Sequence, residues 1–151
     1  MHRISQYKLQ LVREGSFPYA DNVIREPEDA AKIMQQHYDG SDREVFSFIA
    51  LNVKHRVIGI HDVSVGSLTA SVVHPREVFK AALLMNSAAI IIAHCHPSGD
   101  TTPSREDLNI TRQLMEAGKL LDIPILDHLI TGTDQEAHTA FCSMKEEGYI
   151  K

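Results

Sequence analysis

The stretch HCHPSGDTTPSRED, His94 to Asp107, gathers the residue types of a metal site. His94 and His96 stand two apart at the end of an apolar run, Ala88 to Ala93. On an extended chain, residues two apart point to one face, with Cα atoms about 6–7 Å apart, so both imidazoles can reach one ion. Gly99 lets the chain double back, and Ser104 and Asp107 are spaced to share one face of a helix start. Two histidines and one carboxylate, with a position left for water, make a catalytic zinc pattern. Zinc lowers the pKa of a water it binds to about 7. Such chemistry also needs a proton acceptor. Glu44 and Glu77 both border apolar runs, and Glu44, opening a core strand, is the better candidate. Ser104 is a candidate donor to the oxyanion that develops on a substrate carbonyl.

Each residue also has a plainer reading. Ser104-Arg105-Glu106-Asp107 is a capping-box pattern in its own right. A single histidine after a strand is more often hydrogen-bonded than ligating. His128, beside Asp127, is a candidate to stand behind the ligands, though a structural role is expected over a catalytic one, and His74 before Pro75 is expected to help start a helix. His2, His37, His55, His61 and His138 form no pattern. A cysteine hydrolase built from Cys95, His128 and Asp127 is a rival reading. It is weakened because neighbours on a strand point to opposite faces. A zinc nucleobase deaminase would need His-x-Glu and Pro-Cys-x-x-Cys, and both are missing.

The elements that would hold these residues can be read from periodicity. Residues 1–25, with Gly15, Pro18 and Asn22, read as an extended arm or a short helix and loop, suited to self-association. Pro27–Tyr38 reads as a helix with Pro in its first turn. Glu44–Val53 and Arg56–Val65 read as a strand pair turning at Asn52–His55 without an Asn-Gly signal. Gly66–Val73 is a weaker extended stretch. A helix starts at Pro75 and ends by Asn86. Ala88–Ala93 reads as a central strand buried on both faces. Ser104–Leu121 is a helix and Pro124–Thr131 a strand, and the tail from Gly132 is a loop with a final short element. Helix, hairpin, helix, strand, helix, strand suggests an α/β sandwich with a mixed sheet.

Composition bounds the rest. The chain has 151 residues, 43% of them hydrophobic and 23% charged, enough for one core. No apolar run spans a bilayer, and Met1–Gly15 lacks the apolar centre of a signal peptide, so a cytoplasmic protein is expected. Two cysteines make no disulfide framework. The net charge of −5 argues against a general nucleic-acid binder.

His-x-His, seven residues, Ser, two residues, Asp resembles the JAMM motif of JAB/MPN-domain metalloproteases. VVHPREVFKAAL, AHCHPSGDTTPSREDLNITRQL and LDIPILDHLI narrow the resemblance to RadC-like proteins of the UPF0758 type, from about Asp42 to the C-terminus. The resemblance implies a cytidine-deaminase-like three-layer α/β sandwich with a mixed sheet, preceded by an arm over residues 1–27. It implies Zn2+ on His94, His96 and Asp107, with Glu44 activating water and Ser104 assisting. The implied reaction is hydrolysis of a peptide or isopeptide bond in a peptide or protein substrate. The alternative is a non-catalytic module in DNA repair or protein interaction, as in MPN domains that lack the full ligand set. Residues 1–25 are too few for the helix-hairpin-helix-like region of longer RadC proteins, so a short form without direct DNA binding is expected. Cys95 stands where the family usually has Asn, and Phe141-Cys142-Ser143-Met144-Lys145-Glu146 replaces a Tyr-x-Ser-Phe-Arg-Glu-like run.

Overall fold

A computed structural model describes residues 1–66, 73–132 and 140–151. Most of the extended stretch expected at Gly66–Val73, and residues 133–139 of the tail with His138, lie outside the described residues. The elements run α1 (Pro27–His37), β1 (Val45–Leu51), β2 (Val57–Val65), α2 (Pro75–Leu84), β3 (Ala89–His96), α3 (Arg105–Leu120), β4 (Ile125–Gly132) and β5 (Phe141–Ser143). The five strands form one sheet in the order β2-β1-β3-β4-β5. β3 and β4 are parallel and the other neighbours antiparallel, so the sheet is mixed as expected.

Helices cover both faces. On one, Val78, Phe79 and Ala82 of α2 and Ile110 and Leu114 of α3 pack on Phe46, Phe48, Ile90 and Ile92. On the other, Ala30, Ala31, Ile33 and Met34 of α1 pack on Val45, Ile49, Ile91 and Leu129. β1 and β3 are therefore buried on both sides and carry apolar residues without alternation. Polar contacts also fix α1. The Tyr38 hydroxyl donates to the Ala93 carbonyl (3.0 Å), His37 Nε2 lies 2.7 Å from Asp62, and the buried Ser47 donates to Asp62 (2.6 Å).

The hairpin turns without Asn-Gly because the Asn52 side chain accepts from the Lys54 and Arg56 amides. His55 takes the left-handed φ of 58°. No helix forms before Pro27. The arm has no helix or strand over its first residues and is exposed there, Phe17 packs against the α1 layer, and Val23 bridges to Arg56. β3 runs three residues beyond the apolar stretch, because His94, Cys95 and His96 pair with Ile130, Thr131 and Gly132 of β4. β5 is the final short element, paired to β4.

Gly118 marks a close approach inside α3. A Cβ there would lie 2.5 Å from the Ile123 carbonyl oxygen and 3.2 Å from the Phe79 ring. Gly→Ala within a helix ordinarily gains about 1 kcal/mol. Here the sign reverses. Gly118→Ala is expected to destabilise the protein by about 1–3 kcal/mol through overpacking, read as a lowered midpoint in urea unfolding.

Candidate metal centre

His94 and His96 leave β3 on the same face, as their spacing predicts. Cys95 points the other way into the α1-side core, its Sγ 3.4 Å from the Arg43 carbonyl. Burial pushes its thiol up, away from the thiolate. The β1–β3 register pairs Phe46 with His94, and continuing that ladder carries Glu44 towards His96. Glu44 sits one residue before β1, where its carbonyl accepts from Gly66.

Asp107 comes from the first turn of α3. The capping box is fully formed: Ser104 Oγ accepts from the Asp107 amide (3.0 Å), and Asp107 Oδ2 accepts from the Ser104 amide (2.8 Å). That capping role fixes the carboxylate, and its other oxygen, Oδ1, lies 3.3 Å from His94 Nε2. Asp107 is therefore both a helix cap and a member of the cluster.

One side-chain atom each from Glu44, His94, His96 and Asp107 lie within 4.8 Å of one another, a grouping that can hold a metal ion. His94 Nε2 and His96 Nε2 face each other at 2.9 Å. His96 Nδ1 donates to the Asp100 carbonyl (2.6 Å), which leaves the Nε2 lone pair pointing inward. His94 has its Nδ1 engaged 2.8 Å from His128 Nε2. Two imidazole nitrogens this close, with carboxylates beside them, form a donor set that could hold a divalent ion taking nitrogen and oxygen ligands.

The charges agree with this. Burial works to raise the Asp107 carboxyl, but His94 and His96 outweigh it and hold the group well below the usual carboxylate range. Asp107 in turn raises His96 against burial. Glu44 is raised by burial, with the two histidines pulling it the other way.

Other sequence candidates lie elsewhere. Ser104 is the exposed N-cap of α3 beside Asp107, and its contacts among the described residues are those of the cap. Glu77 pairs with Lys80 on α2, and His74 is the N-cap of α2 without a side-chain cap bond. Cys95, His128 and Asp127 do not meet as a triad. Asp127 accepts from the His128 amide, the Ser143 hydroxyl and the Lys145 amide instead.

His128 takes the place behind His94 that the sequence left open beside a structural role. It is fully buried, touches His94 Nδ1, and packs edge-on to Phe46, which stacks on His94. A bulge puts it there. Ile90 pairs with Ile125 and Ile92 with His128, three residues on β4 against two on β3. The extra residue reverses the alternation and turns His128 to the His94 side. Burial pushes its pKa well down and keeps the ring neutral. Thr111, four residues after Asp107, is a contributor that the sequence did not reveal; the only signal was a polar residue in the inward stripe of α3.

Gly132 supports the turn behind His96. A Cβ there would meet the Gly99 carbonyl oxygen at 2.9 Å and its Cα at 3.2 Å. Gly132→Ala is expected to shift the turn that presents the Asp100 carbonyl to His96. Affinity for a divalent ion should then fall about 10-fold, the low end for loss of a ligand's outer partner, in a competition titration against a chromophoric chelator.

Residues 24–149 match the RadC-like JAB domain family. Among similar proteins are a UPF0758 protein of Moorella thermoacetica, 48% identical over 138 residues (91% of this chain, 58% of the relative). A UPF0758 protein of Geobacillus sp. is 50% identical over 128 residues (85% and 54%). One of Clostridium beijerinckii is 48% identical over 130 (86% and 55%). The chain thus spans between half and three fifths of the length of these relatives. Among the described residues no helix is long and apolar enough to cross a membrane. Sequence match, mixed five-stranded sheet and the His-His-Asp-Glu cluster agree, and the chain belongs to the RadC-like JAB domain family.

Proposed function

We propose that the chain is a zinc-dependent hydrolase of the JAMM type that cleaves a peptide or isopeptide bond. The observation that carries this reading is the pair of Nε2 atoms 2.9 Å apart, flanked by a carboxylate anchored by the cap, Asp107, and a second carboxylate, Glu44, that has no hydrogen bond among the described residues. His94, His96 and Asp107 would hold the ion, which supplies Lewis acidity and lowers the pKa of water to about 7.

Glu44 supplies the proton traffic. Partial burial raises its carboxyl, which suits a group that takes a proton and gives it back. Water adds to the amide carbonyl as its proton passes to Glu44. The C–N bond then breaks as that proton moves to the leaving nitrogen. Ser104 Oγ spends its lone pair on the Asp107 amide, which leaves the hydroxyl proton to donate to the carbonyl oxygen as charge builds there.

The test is an assay of the Zn2+-loaded chain on a panel of fluorogenic peptides and ε-lysyl isopeptides. Cleavage that stops on chelation and returns with Zn2+ is expected. Cleavage that survives chelation, or none across the panel, contradicts the reading.

A further inference from the structure

Behind the cluster runs a second line of polar groups that the proposed reaction leaves idle. Thr111 and His128 are both 0% exposed. Together they connect the backbone of one cluster residue to the side chain of another. Thr111 Oγ1 lies 2.5 Å from the Asp107 carbonyl oxygen and 2.5 Å from His128 Nδ1. His128 Nε2 lies 2.8 Å from His94 Nδ1.

The acceptors in this line dictate where its protons are. A carbonyl only accepts, so two oxygens this close require the Thr111 hydroxyl proton between them. That hydroxyl has no second proton. The contact with His128 must therefore be a donation from His128 Nδ1–H. A neutral imidazole protonated at Nδ1 carries its lone pair on Nε2, so His94 must donate its own Nδ1–H to His128. The lone pair of His94 is then left on Nε2, facing His96. Met144 Sδ, 3.6 Å from Thr111 Oγ1, is a longer and weaker acceptor and does not compete with the carbonyl.

We infer that Thr111, acting through His128, sets the tautomer of His94 so that its Nε2 lone pair is the one offered to the metal. Both are positioning residues. Without the hydroxyl, His128 is free to carry its proton on Nε2 and donate it to His94 Nδ1, which leaves His94 protonated on the face meant for the ion. The line also closes on itself: it starts at the Asp107 carbonyl, in the turn whose side chain joins the same cluster. The placement of α3 and the tautomer of His94 are thereby tied together. The metal half of this inference rests on the zinc reading above, whereas the tautomer half concerns the protein alone.

The test reads both halves. In the metal-free chain, at a pH where the spectra themselves show the His94 ring uncharged, long-range 1H–15N correlation spectra are expected to show His94 protonated at Nδ1. Thr111→Val, which keeps the shape and removes the hydroxyl, is expected to give mixed His94 tautomers. It should weaken Zn2+ binding about 10–100-fold, the range for lost outer partners. Thr111→Ser is expected to restore both. A wild-type His94 protonated at Nε2, or Thr111→Val binding Zn2+ as tightly as wild type, overturns the inference. Should Thr111→Val not fold, the wild-type spectrum decides alone. A wild-type chain with the Nδ1–H tautomer that binds no Zn2+ upholds the wiring and sinks the zinc reading instead.

Discussion

Glu44→Gln is expected to lower turnover about 10²–10⁴-fold, the usual worth of a general base, while Zn2+ affinity stays within about threefold of wild type. The asymmetry of the two carboxylates is the reason. Asp107 is held by the capping box, sits 3.3 Å from His94 Nε2 and 3.6 Å from His96 Nε2, and is nearly buried. Glu44 lies farther out, 3.7 and 3.9 Å from the same atoms, and is partly open to solvent. The buried, capped group suits a ligand and the farther, partly exposed one a proton carrier. Glutamine keeps the size and some hydrogen bonding of Glu44 but cannot take a proton. Parallel measurements of kcat and of Zn2+ affinity check the split. An E44Q chain that loses Zn2+ would make Glu44 a ligand instead.

Asp107→Asn and Asp107→Ala separate two duties of one side chain. Both are expected to weaken Zn2+ binding by more than the roughly 100-fold limit for outer partners, because a charged ligand is gone. Their effects on the metal-free protein should differ. Asparagine can still accept the Ser104 amide through its side-chain oxygen and preserve the cap. Alanine cannot, and loss of a cap costs about 0.5–2 kcal/mol. Isothermal titration with Zn2+ and thermal melts of the metal-free variants read the two duties independently. Equal melts for the two variants would deny the capping role, and retained Zn2+ affinity would deny the ligand role.

How much of this was legible in the sequence varies from residue to residue. His94 and His96 were, because strand geometry has a period of two and the apolar run before them marks a buried strand. Asp107 was ambiguous between cap and ligand; the cap is formed, and the same carboxylate lies in the cluster that could hold an ion. Glu44 was visible only as the edge of an apolar run. What brings it to the histidines is the antiparallel β1–β3 register, a long-range pairing that local sequence does not encode. His128 was legible as a candidate to stand behind the ligands, but the face it points to was not. Regular alternation along β4 puts it on the wrong face, and the bulge that corrects this is fixed only when β4 pairs with β3. The mixed sheet followed from the order of elements, and each helix shows one apolar stripe, whereas the three layers were implied by the family resemblance.

The most direct test of the metal centre is a crystal of the Zn2+-saturated chain measured on both sides of the zinc absorption edge. The account predicts one strong anomalous peak per chain, about 2.0–2.2 Å from His94 Nε2, His96 Nε2 and an Asp107 carboxylate oxygen. No peak there, or a peak held by a different set of side chains, would contradict it.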